Sequence, residues 1–133
     1  MADPQQLRVV SADAVVWSGE AENVIAKTVD GDIGILAGHE PVLALLVPGS
    51  VEAILPDGRR EIIAVDGGFI SVAQGRVSII SEYARMAEEI TVDQAERALA
   101  DARQRLDGGE DDEDLRKAYR RAQAQLSAAH KVR

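Results

Sequence analysis

From residue 7 to residue 81 apolar side chains come in short bursts rich in Val and Ile. The runs are Leu7–Val10, Ala14–Trp17, Ala21–Thr28, Gly34–Leu36, Val42–Val47, Ser50–Leu55, Glu61–Val65, Gly68–Ala73 and Val77–Ser81. Between them stand Asp30-Gly31, Pro48-Gly49, Asp57-Gly58, Asp66-Gly67 and Gln74-Gly75. Such pairs suit tight turns, because glycine accepts a positive φ without a Cβ clash. Turn signals spaced by about 8–12 residues predict an all-β sandwich or barrel and argue against βαβ units.

Past residue 85 the pattern changes period. Thr91 and Gln94 fit a capping box, after which Ala95, Ala98, Leu99, Ala102 and Leu106 recur at helical spacing. Gly108-Gly109 supplies a stop, and Leu115, Ala118, Tyr119, Ala122, Leu126 and Ala129 repeat the stripe. The prediction is a β-sandwich over residues 1–86 followed by an antiparallel two-helix hairpin over residues 87–133. Alanine buries little area, so the hairpin's apolar seams are thin and the pair should separate easily.

Composition narrows the classes of function. The 133-residue chain is 46% hydrophobic and 29% charged, a balance that supports a folded core. Its formal net charge of −8 and four aromatic residues speak against a nucleic-acid binder. Absence of cysteine removes disulfides, thiolate metal sites and cysteine nucleophiles. The start, Met1-Ala2-Asp3-Pro4, lacks a basic-then-apolar leader, and no apolar run is long enough to insert in a membrane. A protein facing the cytosol is expected.

Charge is ordered along the second helix. Glu110 to Asp114 precede it or open it, where the helix dipole favours anions. From Arg116 onward come Arg116, Lys117, Arg120, Arg121, Lys131 and Arg133 with no acid among them. This is either a solvated, dipole-compatible helix or a basic face for an acidic partner.

Catalytic sets are missing. His39 and His130 lie in different segments with no second histidine at metal spacing, so neither a metal site nor a catalytic residue is expected. Gly31-Asp32-Ile33-Gly34 and Asp66-Gly67-Gly68 do not continue into a phosphate-loop or dinucleotide fingerprint and read as turns. Glu110–Asp114 lacks the alternating ligand spacing of a calcium loop and reads as a solvated linker. With no cofactor expected and no matched acid–base pair, an interaction module is favoured over a small hydrolase or isomerase.

One segment says more than its turns require. Gly31-Asp32-Ile33-Gly34-Ile35-Leu36-Ala37-Gly38-His39-Glu40-Pro41, running on to Pro48-Gly49, closely resembles the signature of the epsilon subunits of rotary F-type ATP synthases. Val65 to Phe69 with Val77 to Ile80, and Trp17 to Ala21, resemble later and earlier strands of the same family. Motif order and length agree over essentially the whole chain. The resemblance implies a sandwich of about ten strands with a C-terminal helical hairpin. It also implies a non-catalytic central-stalk subunit that binds the gamma subunit and rests on the c-ring, at the cytoplasmic face of an energy-transducing membrane. Asp32, Gly38, His39 and Glu40 match the ring-facing positions, although His39 alone would read as a turn residue capping nearby backbone.

The family's hairpin further implies a brake: extended, it reaches the alpha/beta catalytic head and obstructs hydrolysis. Arg116, Lys117, Arg120 and Arg121 would meet acidic surfaces there. Some members bind ATP through Ile-Asp-x-x-Arg-Ala on the first helix and two arginines on the second. Here Thr91 and Gln94 replace the aspartate and arginine; Arg121 matches, but Gln125 stands where its partner arginine is expected. Without those bidentate phosphate contacts, weak or absent ATP binding is expected. The competing reading is a free-standing sandwich adaptor whose basic helical tail recruits an acidic partner.

Overall fold

The computed structural model describes residues 4–132. Met1–Asp3, at the expected leaderless start, and Arg133, the last of the basic residues, lie outside the described residues. Ten strands form two five-stranded sheets that close face to face, and two helices follow. In chain order the strands are β1 Gln5–Val10, β2 Val15–Ala21, β3 Asn23–Thr28, β4 Gly31–Leu36, β5 Val42–Leu45, β6 Gly49–Ile54, β7 Arg60–Val65, β8 Phe69–Ala73, β9 Arg76–Ile80 and β10 Ala84–Met86. The first sheet runs β2-β1-β9-β8-β5 and the second β10-β7-β6-β3-β4. Pairing is antiparallel except between β1 and β9, which lie parallel from Gln6↔Arg76 to Val10↔Ile80.

Alternation explains the interior. Leu7 and Val9, Val24 and Ala26, Ile70 and Val72, and Val77 and Ile79 point inward from strands whose intervening residues are more exposed. With Ile35, Val51, Ile63 and Val65 they make one core that contains no helical residue. Strands β6 and β7 differ, being buried on both faces, because something covers the outer side of their sheet.

The covering element is helical. A 3-10 turn, Ala87–Glu89, leads to α1, Val92–Asp107, and then to α2, Glu113–Val132. Ala124, Ala128 and Ala129 of α2 pack with Ile62 and Ala64 of β7, with Ala87, Ile90 and Ala95 completing the cluster. The helix α1 packs on α2 rather than on the sheet. Small side chains let α2 lie close to the sheet but offer it little area; of Ala124, Ala128 and Ala129 only Ala129 belongs to the stripe expected between the helices.

Several local expectations shift. The expected strand Ala21–Thr28 divides at Glu22 between β2 and β3, and β10 carries too few apolar residues to stand out as a run. Thr91 does occupy the N-cap of α1, but its side chain makes no capping hydrogen bond. Thr91 and Gln94 are both exposed, so first-turn N–H groups can be hydrated instead. The real side-chain cap lies one helix later: Asp112 Oδ1 accepts the Leu115 N–H at 2.8 Å. Part of the expected acidic linker therefore starts α2. Ala98 and Ala118, expected on the apolar seams, are exposed.

Candidate functional site

Two regions carry the candidate residues, the loop after β4 and the seam between α2 and the second sheet. In the loop, Gly38 takes φ +86°, a left-handed conformation that glycine adopts without strain. The chain thereby turns so that the His39 N–H donates to the Leu36 carbonyl at 3.1 Å. His39 Nδ1–H in turn donates to the Glu40 carbonyl at 2.7 Å, leaving the other ring nitrogen toward solvent. Gly38, His39 and Glu40 are all exposed and adjacent. Asp32 is exposed too, but it sits opposite Lys27 near the start of β4. Leu36 is four steps further along the strand, about 13 Å at the usual strand rise, so Asp32 flanks the loop rather than joining it.

Exposed apolar side chains lie on and beside β5, the strand that follows this loop. On edge strand β5, Leu43 is 71% and Leu45 61% exposed, and Leu36 and Val29 are similarly open. Val29 donates its N–H to the Leu45 carbonyl, placing both in one patch. Isolated apolar side chains on a surface are ordinary, whereas a clustered group at a sheet edge marks a contact surface. The signal was present in Val42-Leu43-Ala44-Leu45, a strand apolar on both faces.

Along the seam, cations of α2 meet carboxylates of the sandwich. Arg121 Nε donates to Asp66 Oδ2 at 3.1 Å, and its guanidinium lies 5.4 Å from the centre of the Tyr83 ring. Asp66, with a side chain only 4% exposed, also accepts from Ser81 Oγ at 2.9 Å and the Tyr83 N–H at 3.2 Å. Gln125 Nε2 donates to the Tyr83 hydroxyl at 2.7 Å. Lys117 reaches Glu82 at 3.2 Å, and Lys131 reaches Glu52 of β6 at 3.1 Å. Glu52 is also held by Arg60 at 2.7 Å. Burial pushes the Glu52 carboxyl upward, but hydrogen bonds and charge from Arg60 and Lys131 outweigh it and hold the group below the ordinary glutamate range.

The structure therefore divides the expected basic face. Lys117 and Arg121 turn toward the sandwich, whereas Arg116 pairs with Asp111 and Glu113, and Arg120 with Glu113, within the hairpin itself. Glu52, Asp66 and Tyr83 escaped the sequence reading. Glu52 was legible as an acid inside the apolar run Val51 to Ile54; Asp66 was masked by its role before a glycine turn.

Thr91, Gln94 and Gln125 are brought together. With Arg85, Glu89 and Ile90 they line a cavity of about 70 Å³, far below the 300 Å³ or more of ordinary ligand pockets. Arg85 is the one cation lining it among the described residues, with Glu89 of opposite charge nearby.

A ten-stranded sandwich followed by a helical hairpin places the chain among small two-part proteins, a sheet domain with a helical appendage. The family model for the ATP synthase delta/epsilon chain beta-sandwich domain matches residues 5–87. The chain is 48% identical to the ATP synthase epsilon chain of Cutibacterium acnes, over 95% of this chain and 92% of that protein. It is 43% identical to the epsilon chain of Streptomyces griseus, covering 96% and 97%. Among solved structures, a chain of the Euglena gracilis mitochondrial ATP synthase, resolved with OSCP, F1 and c-ring, superposes with TM-score 0.76 at 26% identity, covering 99% of this chain and 83% of that one. A chain of the Tetrahymena thermophila central stalk and c-ring shares the fold, with TM-score 0.57 at 14% identity. The chain belongs to the ATP synthase epsilon-chain family, a non-catalytic subunit of that complex. No helix among the described residues is long and apolar enough to cross a membrane.

Proposed function

We propose that the chain is a central-stalk rotor subunit that couples proton-driven rotation of a c-ring to ATP synthesis in the catalytic head. The observation that carries this reading is its near-complete superposition on a chain of an F1/c-ring assembly. In this reading the loop Gly38–Glu40, flanked by Asp32, rests on polar loops of the c-ring. The leucine patch of β5 takes the gamma subunit, which provides the apolar cover that Leu43 and Leu45 lack in the isolated chain. Attachment is peripheral, on the cytoplasmic face of the energy-transducing membrane.

Residues 87–133 form the regulatory domain of this reading. Hairpin and sandwich meet through alanines and a few ion pairs, so docked and released states can differ by only a few kcal/mol. Released, Arg116, Lys117, Arg120 and Arg121 are free to meet acidic surfaces of alpha and beta and to obstruct hydrolysis. ATP does not act through the hairpin, because the Thr91–Gln94–Gln125 cavity is too small and lacks paired arginines.

The test adds the full chain or residues 1–86 to an epsilon-free catalytic head carrying gamma. The short form keeps the whole interior core. Both forms should bind, and the full chain alone should slow ATP hydrolysis. Binding of both without inhibition removes the brake and keeps the rotor; no binding by either removes the stalk assignment and favours a free-standing adaptor.

A further inference from the structure

We propose that Asp66 and Tyr83 form a preassembled guanidinium socket whose occupation by Arg121 latches the hairpin to the sandwich and withholds Lys117 and Arg121 from any partner. The proposal deepens the reading of the hairpin as a releasable brake and rests on it. Its substance is which contact must break first.

The two oxygens of Asp66 have separate tasks. Oδ1 accepts from Ser81 Oγ and the Tyr83 N–H, both sandwich groups, while Oδ2 faces Arg121. When α2 leaves, Oδ1 keeps its donors and only Oδ2 must find water. The sandwich therefore holds the carboxylate in place whether or not the helix is docked, and Tyr83 supplies the flat face on which a guanidinium lies. A socket that needs no rearrangement can recapture Arg121 without paying an ordering cost.

The neighbouring contacts converge on it. Lys117, one turn before Arg121, binds Glu82, and Gln125, one turn after, donates to Tyr83. Glu82 and Tyr83 are consecutive, so one short link between β9 and β10 meets three successive turns of α2, at Lys117, Arg121 and Gln125. Lys117 and Arg121 are also two of the four cations that would meet an acidic partner. Docked on the sandwich they are unavailable, and docked on a partner they leave Asp66 and Glu82 unpaired. The two placements exclude each other at the level of individual side chains.

Native-state hydrogen exchange on the isolated full-length chain tests the latch. Asp66→Asn keeps an oxygen for Ser81 and Tyr83 but turns an amide N–H₂ toward Arg121; Arg121→Gln alters only the partly exposed face of α2. Each should lower protection of the Ala122–Ala129 amides about tenfold or more, with β8 and β9 unaffected in Arg121→Gln. The double variant should fall no further than the worse single one, as for two groups sharing one interaction. Unchanged α2 protection in both single variants overturns the proposal. So does a double variant whose loss is the product of the two. Because exchange reads docking and not inhibition, a latch seen by exchange beside a tail that never slows hydrolysis would retain the socket and remove only the brake.

Discussion

Lys131, in the last turn of α2, reaches Glu52 in the middle of β6 at 3.1 Å, although nearly eighty residues separate them along the chain. Glu52 lies on the sheet's helix-covered face and is almost fully buried. Its charge is compensated by Arg60 on one oxygen and Lys131 on the other. Because its carboxyl is held below the ordinary glutamate value, its contribution to stability is present above about pH 4.3, where the unfolded group is ionised. The contribution is lost as pH falls through the lower, folded value. Docking of the end of α2 should thus be independent of this group from pH 6 to 8 and weaken on strong acidification. Following Lys131 side-chain NMR signals through an acid titration checks it; loosening already at neutral pH would contradict it.

Gly68 is the position least tolerant of a side chain. It takes φ +93°, and a Cβ there would collide with the backbone of Ile80 and Ser81. Gly68→Ala should destabilise the sandwich by about 3 kcal/mol or more, combining strain with a forced displacement of β9. A lower urea midpoint at unchanged m-value is the expected result.

Ala128 is fully buried in the cluster that joins α2 to β7. Ala128→Leu adds three heavy atoms where none fit, and overpacking of this kind costs about 1–3 kcal/mol. The cost falls on docking, because the sandwich core contains no helical residue. Exchange protection should drop across α2 while the β1–β9 pair keeps its own.

Leu43→Asp and Leu45→Asp replace side chains that touch little in the isolated chain. Thermal stability should change by less than about 0.5 kcal/mol, the usual surface value. If β5 takes the gamma subunit, affinity for a gamma-containing head should fall at least tenfold in the double variant. Undiminished binding would move that contact to another face.

Most of the sandwich was legible because its grammar is local. Val and Ile bursts give strands, and Gln74-Gly75 gives a tight reversal in which both residues take positive φ. The helices were legible from period and from Gly108-Gly109. What escaped depends on distant partners. β10 exists because Ala84, Arg85 and Met86 pair with Val65, Ala64 and Ile63 of a finished strand, not because three residues favour extension. The Thr91 box has the right residue types, yet no side-chain cap forms, since motif chemistry at an exposed helix start competes with water. Of the candidate site, Gly38, His39 and Glu40 were visible as a motif. The pairing of Arg121 with Asp66 joins residues 55 apart, and no local pattern announces it.

The parallel pairing of β1 with β9 sets an order for the newborn chain. Gln6 to Val10 can pair early with β2, but they find their parallel partners only once Arg76 to Ile80 have been made, so the first sheet stays incomplete until then. Non-local closure of this kind is slow, whereas a helical hairpin assembles quickly from near neighbours. The hairpin is synthesised after the sandwich. It therefore emerges beside a sheet whose β6–β7 face already exists, and the receptor is complete before the part that docks on it.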